Sequence, residues 1–122
     1  MANSINHVTL KGTVGKDPEV TYYDNGTVIA KISLATDESY KDKNQQVVEK
    51  TTWHNVRCWG SYAEKMEREV KKGTRLWLEG KIVTDSWEDK EGQKHYQTYV
   101  QISQFEILQR IQPRSNNDMS RM

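Results

Sequence analysis

Four side chains suited to ligand binding alternate along one short segment, from Trp53 through Asn55 and Arg57 to Trp59. Alternate residues of a β-strand lie on the same side, about 6.6 Å apart, so both indoles would share a face with the guanidinium between them. Such a face suits unpaired bases, which stack on aromatic rings for about 1–3 kcal/mol each while the cation meets a phosphate. A tryptophan in a strand is more commonly a core or subunit-interface residue, and the residues alone leave both interpretations open.

Other aromatic residues could extend this face. Trp87 follows the apolar part of a later segment and Tyr40 follows that of an earlier one, whereas Trp77 stands between Leu76 and Leu78 in the most apolar run. We therefore expect Trp77 in the core or at a subunit interface. Four Trp and six Tyr stand against a single Phe, and rings with a polar group suit half-hydrated surfaces.

The histidines and the single cysteine do not form a catalytic pattern. His7, His54 and His95 make no H-x-x-H or H-E-x-x-H pair, so the spacing predicts no metal site. His54 and Cys58 share a strand face but lie about 13 Å apart, too far for a base to activate a nucleophile. No glycine-rich phosphate loop is present in the required strand-to-helix context. We expect neither catalysis nor a cofactor, and a core position for Cys58.

The elements that must hold these residues follow from hydrophobic periodicity. Apolar and polar residues alternate over about residues 8–14, 27–36, 50–59, 76–88 and 95–107, which predicts five strands, each with one buried face. A spacing of three and four over residues 61–72 predicts one amphipathic helix, ended by Gly73. Turns are predicted at 24–26 and 89–92, and an exposed loop at 41–46.

This order, β-β-β-α-β-β, fits an all-β fold with one short helix, the five-stranded Greek-key barrel called the OB-fold, whose characteristic face binds oligonucleotides or oligosaccharides. Gly12 and Gly15 in the first strand favour the bend that a small barrel needs. We expect one domain over residues 1–110 and a short flexible tail over 111–122, which is polar and lacks periodicity.

Composition adds constraints on assembly and location. Hydrophobic residues make up only 34% of the chain, and 18 basic against 17 acidic residues leave a net charge of +1. The thin core predicts that apolar surface is shared with another subunit. One cysteine excludes an intramolecular disulfide and is compatible with a reducing cytosol. With no secretion signal or long apolar segment, a cytoplasmic protein is expected.

Several short motifs make the chain recognisable. They are GKDPEV at 15–20, NG at 25–26, LAT at 34–36, TWH at 52–54, KG at 72–73, LEGK at 78–81 and GQ at 92–93. In this order and spacing, over about residues 4–108, the sequence resembles the bacterial single-stranded DNA-binding protein (SSB) family. The resemblance implies an OB-fold homotetramer that binds single-stranded DNA without sequence preference during replication, recombination and repair, with a nucleoid-associated location.

The resemblance also implies roles for individual residues. The stacking aromatics of the family fall on Tyr40, Trp53, Trp59 and Trp87, with Tyr40 where many members have Trp and Trp59 where many have Phe. Both replacements keep a π-face. The position of His54 lies at the subunit interface in the family, and this role fits its parity opposite Trp53.

Departures from the family pattern reduce the expected positive charge. Asp85 and Ser86 precede Trp87 where many members have basic residues, and Asn55 stands where the family often has Arg. We therefore expect fewer phosphate contacts and a shallower salt dependence. Candidate sources of the remaining positive potential, each equally explained as a solvated surface charge, are Lys11, Arg57, Lys71, Lys72, Lys81 and Lys94.

The C-terminal sequence departs as well. Family members usually end in a linker rich in Gly, Gln and Pro and an acidic, hydrophobic tip that recruits replication and repair enzymes, whereas this sequence ends PRSNNDMSRM at 113–122. Recruitment through such a tip is therefore not expected. The acidic substitution near Trp87 keeps a second hypothesis open, an OB-fold interaction module that binds RNA or a replication protein.

Overall fold

A closed barrel of long strands forms the body of the protein in the computed structural model, which describes residues 3–110. The elements in chain order are β1 Val8–Val14, β2 Glu19–Tyr22, β3 Val28–Asp37, β4 Tyr40–Lys41, β5 Val47–Val48, β6 Thr51–Trp59, α1 Ser61–Glu69, β7 Arg75–Glu88 and β8 Lys94–Gln109. The predicted tail of residues 111–122 lies outside the described residues.

Strand pairing closes the barrel in the order β1-β7-β8-β6-β3 and back to β1. All of these pairs are antiparallel except β6 with β8, which are parallel through Val56 opposite Val100. β1 pairs with β7 over most of its length and reaches β3 only through Thr13 and Val14. Five long strands with one helix between the third and the fourth confirm the predicted OB-fold barrel.

The barrel interior is filled by the inward residues of each strand, and α1 closes it with Ala63 and Met66. Cys58 belongs to this core, as predicted, and its thiol lies 3.8 Å from the sulfur of Met66. Burial raises the pKa of Cys58 to about 12. A thiol with a pKa this high is protonated at neutral pH, as is typical of a core cysteine.

The helix ends earlier than the periodicity predicts, at Glu69 instead of residue 72. Val70 is buried, and its backbone is already extended, with φ −112° and ψ 135°. The N–H of Lys71 donates to the side-chain hydroxyl of Thr74 at 3.0 Å, which replaces a helical hydrogen bond. Lys71 and Lys72 therefore lie in a loop. Gly73 ends this loop at φ +94° and donates its N–H to the carbonyl of Val14.

Three short strands were not predicted. β2 is an edge strand that pairs with β3, and its four residues are too few for a clear alternation. The polar segment predicted as an exposed loop forms the turn of a small hairpin, in which β4 pairs with β5. Both predicted turns are confirmed, with Gly26 and Gly92 at positive φ. No helix within residues 3–110 is long and apolar enough to cross a membrane.

Candidate nucleic-acid interface

The outer face of β6 presents the alternating residues as predicted. Trp53 is 60% exposed, while Val56 and Cys58 on the opposite side are buried in the barrel. Arg57 and Trp59 share the outward parity with Trp53 and are half-buried. Since β6 lies between β3 and β8 in the sheet, this face continues onto both neighbouring strands.

Trp53 is held against the connection between β1 and β2. A Cβ added to Gly15 would overlap the six-membered ring of the indole, so only glycine leaves room for the ring there. The N–H of Gly15 donates to the carbonyl of Ser33 at 2.9 Å, which fixes this connection on β3. Opposite Trp53 on β3 stands the small residue Ala35. The indole is therefore supported on one side and remains available to a ligand on the other.

Gly15→Ala tests this support. We expect the added methyl group to displace the indole of Trp53 and to weaken binding of an oligothymidine by about five-fold, a loss of about 1 kcal/mol out of a stacking energy of 1–3 kcal/mol. Tryptophan fluorescence titration measures the affinity, and thermal unfolding followed by circular dichroism serves as the control. An unchanged affinity in a fully folded variant would show that Gly15 does not position Trp53.

Trp59 packs beside an aromatic residue that the sequence analysis missed. Its ring centroid lies 6.1 Å from that of Tyr99, with the planes tilted by 38°. The guanidinium carbon of Arg57 lies 4.1 Å from the centroid of the Tyr99 ring, and Arg57 donates to the side-chain oxygen of Gln97 at 2.7 Å. These contacts fix the arginine next to Trp59. The sequence did contain a signal for Tyr99. It shares its strand parity with Gln97 and Gln101, so it is an aromatic residue on the polar, outward side of the strand.

An acidic residue, Asp85, also contacts Tyr99. The hydroxyl of Tyr99 donates to the carboxylate of Asp85 at 3.3 Å. Burial is the main cause that raises the pKa of Tyr99, and the negative charge of Asp85 adds to the effect while Arg57 opposes it. Tyr99 is therefore a neutral hydrogen-bond donor. Asp85 and Arg57 thus contact the same tyrosine, Asp85 at its hydroxyl and Arg57 at its ring.

Trp87 and Tyr40 lie on two different hairpins. Trp87, at the end of β7, is 49% exposed and stacks on His95 with ring centroids 5.5 Å apart and planes 20° apart. The Nε2 atom of His95 lies 2.8 Å from the carboxylate of Asp89, and this hydrogen bond is the main cause that lowers the pKa of Asp89. Tyr40 is 54% exposed on the β4–β5 hairpin. The structure thus exposes both rings, but on elements separate from β6.

The predicted cations are dispersed over the surface. Arg57 lies opposite Gln101 of β8, and Gln101 lies opposite Lys81 of β7, so both cations belong to one row across the outer face. Lys94, at the start of β8, lies opposite Glu88 in the register of β7 and β8. Lys11, on β1, lines a groove of about 690 Å³ that also contains Asp37 and Glu49. Lys71 and Lys72 lie in the loop after α1, where the backbone N–H of Lys72 donates to Asp17.

The two residues assigned to a subunit interface are both half-buried. His54 has the inward parity of Val56, and its Nε2 atom lies 3.0 Å from the hydroxyl of Thr36. Trp77 faces outward, opposite Lys11 on β1, because the buried Leu76 and Leu78 occupy the other parity. Of the two positions expected for Trp77, the core and a subunit interface, the core is wrong. Its role at an interface stays a prediction.

Among residues 3–110, no group of three His, Cys, Asp or Glu side chains could hold a metal ion. The exposed and half-buried side chains at the β6 face are indoles, a guanidinium and amides, while the phenol ring of Tyr99 is buried beneath Arg57. This set can stack on planar rings and donate hydrogen bonds to anionic oxygens.

Comparisons with known proteins agree with this geometry. Residues 5–108 match the model of the single-strand binding protein family. A Plasmodium falciparum SSB in complex with ssDNA superposes with a TM-score of 0.77 at 26% identity, over 88% of this chain and 98% of that one. A deletion mutant of the single-stranded DNA-binding protein from Thermus aquaticus gives 0.76 at 28% identity, over 89% of this chain and 53% of that one. The chain therefore spans about half the length of the Thermus protein and nearly all of the Plasmodium one. With the family match covering most of its length, the chain belongs to the single-strand binding protein family.

Proposed function

We propose that this protein binds single-stranded DNA without sequence preference and protects it during replication, recombination and repair, with no catalytic step. The observation that supports this proposal is the exposed face of β6, where Trp53 and Trp59 bracket Arg57. Every base has a π-face, so stacking on indoles tolerates any sequence, and the base-pairing edges need not be read. In a duplex the faces of the bases are already stacked on one another, so single strands are preferred.

We also propose that the hairpin rings Tyr40 and Trp87 extend the stacking surface. Their exposed fractions of 54% and 49% leave room for a base on each. On Trp87 one side of the ring is covered by His95, so the other side is the one that a base can use. The cations proposed to contact phosphates are Arg57, Lys11, Lys71, Lys72, Lys81 and Lys94.

A fluorescence titration tests the proposed function. Oligothymidine should quench the tryptophan fluorescence, a duplex of equal length should compete poorly, and the affinity should fall with salt because counterions are released from the DNA. Fluorescence that single strands leave unchanged at low salt would contradict the proposal. The alternative, an interaction module for RNA or a replication protein, is not favoured, because the chain belongs to the single-strand binding protein family and the two structures described above are of single-stranded DNA-binding proteins.

Assembly as a homotetramer is part of the proposal. Half-buried Trp77 on the β1–β7 surface and His54 at β6 are the proposed interface residues, and Ile82 and Leu108 add exposed apolar surface, 51% and 48% exposed. Burial of this surface would offset the thin core. Light scattering measures the mass of the assembly directly, with a monomer as the contradicting result. A protein that binds DNA in this way would be associated with the nucleoid.

A further inference from the structure

Two cations lie directly opposite each other on neighbouring strands of the binding face. Lys31 of β3 is in register with Arg57 of β6, and neither forms an ion pair within residues 3–110. Like charges in directly opposite positions of a sheet destabilise the pair. An anion bound between the two cations offsets their repulsion, because it attracts both of them.

A pocket of about 220 Å³ lies at this position. Lys16, Lys31 and Arg57 contribute its positive charge, and the neutral side chains of Ser33 and Asn55 can donate hydrogen bonds. Its one carboxylate is Glu19, whose oxygen lies 3.5 Å from the Nζ atom of Lys16, with both side chains well exposed. Three cations against one carboxylate leave the pocket positive. Glu19 lies opposite Lys31 in the register of β2 and β3, so it reduces the positive charge of the pocket but does not cancel it.

The pocket lies between the two indoles. Asn55 and Arg57 line it, and they are the two outward residues of β6 between Trp53 and Trp59. Six residues of strand place the two tryptophans about 20 Å apart, which leaves room for more than one nucleotide between bases stacked on them. A DNA strand that runs along β6 from one indole to the other therefore passes its backbone over the pocket.

We infer that this pocket binds a phosphodiester group of the DNA strand between the bases stacked on Trp53 and Trp59, with Lys16 and Lys31 as further binding residues beside Arg57. The guanidinium is already oriented by the Tyr99 ring and by Gln97, so little side-chain order is lost when the phosphate arrives. The inference rests on the proposed function. The pocket also supplies positive charge in place of the basic residues that the family often has at the positions of Asp85, Ser86 and Asn55.

Substitution of the two lysines tests the pocket. In the full chain we expect Lys31→Gln to weaken oligothymidine binding about five-fold at 0.1 M salt and to reduce the slope of log K against log salt by about 0.7, the value of one phosphate contact with a single strand. Adding Lys16→Gln to Lys31→Gln should reduce the slope further, whereas Lys31→Arg alone should keep the wild-type slope. The matched control is Lys65→Gln on α1, where the ammonium lies over the Phe105 ring and outside the pocket.

An oligothymidine with neutral methylphosphonate linkages separates the pocket from stacking. Lys31→Gln should weaken binding of this probe much less than binding of the ordinary oligothymidine. Equal losses on both probes, or a salt slope for the double lysine variant equal to that of the Lys65→Gln control, would overturn the pocket while leaving the stacking function intact. A wild-type protein that fails to bind oligothymidine at all would overturn both.

Discussion

Trp53→Ala should reduce the affinity for oligothymidine by roughly 5- to 150-fold, because the loss of one base-stacking contact costs about 1–3 kcal/mol. The exposed indole takes no part in the core, so the fold and the size of the assembly should stay unchanged. Trp59→Ala should also weaken binding. The two residues are about 20 Å apart, so the losses should add in the double variant. The same fluorescence titration measures all three variants, because other tryptophans remain.

Trp53→Phe is the matched control for the first substitution. It keeps a π-face in the same position over Gly15, so it should retain most of the affinity. An affinity unchanged in both Trp53→Ala and Trp59→Ala would remove the assignment of β6 as the stacking face.

Gly12→Ala should destabilise the fold by about 3 kcal/mol or more, which corresponds to a decrease in Tm on the order of 10 °C. Gly12 lies at the point where β1 leaves β7 and approaches β3, and an added Cβ would overlap the backbone carbonyl oxygen of Ala35. A backbone atom in the sheet cannot move aside without separating the two strands that close the barrel. Thermal or urea unfolding followed by circular dichroism measures the loss.

Gly26→Ala provides the comparison for the stability prediction. Gly26 has a positive φ of 93°, and an added Cβ meets no atom within 4 Å there. Its substitution should therefore cost only the local backbone strain, about 1–2 kcal/mol. A loss at Gly12 no larger than the loss at Gly26 would contradict the role of Gly12 in closing the barrel.

The local features of this fold could be predicted from the sequence because they depend on residues close together in the chain. The parity of Trp53 and Trp59 follows from the two-residue period of a strand, and the turns at Gly26 and Gly92 follow from the preference of glycine for positive φ. The order of these elements was then enough to predict the barrel, since a single helix between the third and fourth long strands is typical of the OB-fold.

The neighbours of each site residue could not be predicted in the same way, because they depend on pairing between distant strands. The parallel register of β6 and β8 places Gln101 opposite Arg57, and the antiparallel register of β3 and β6 places Lys31 there. Neither pairing has a local signal in the sequence. Trp77 is a different case: its outward position follows from the local alternation with the buried Leu76 and Leu78, which the apolar character of the run obscured.

The most direct test of the stacking face is an experimental structure of the protein in complex with an oligothymidine. We expect thymine rings stacked on the exposed sides of Trp53 and Trp59, with the DNA running along β6 between them. A strand bound elsewhere, for example over the β1–β7 surface around Trp77, with both β6 indoles free of bases, would contradict the proposed mode of binding.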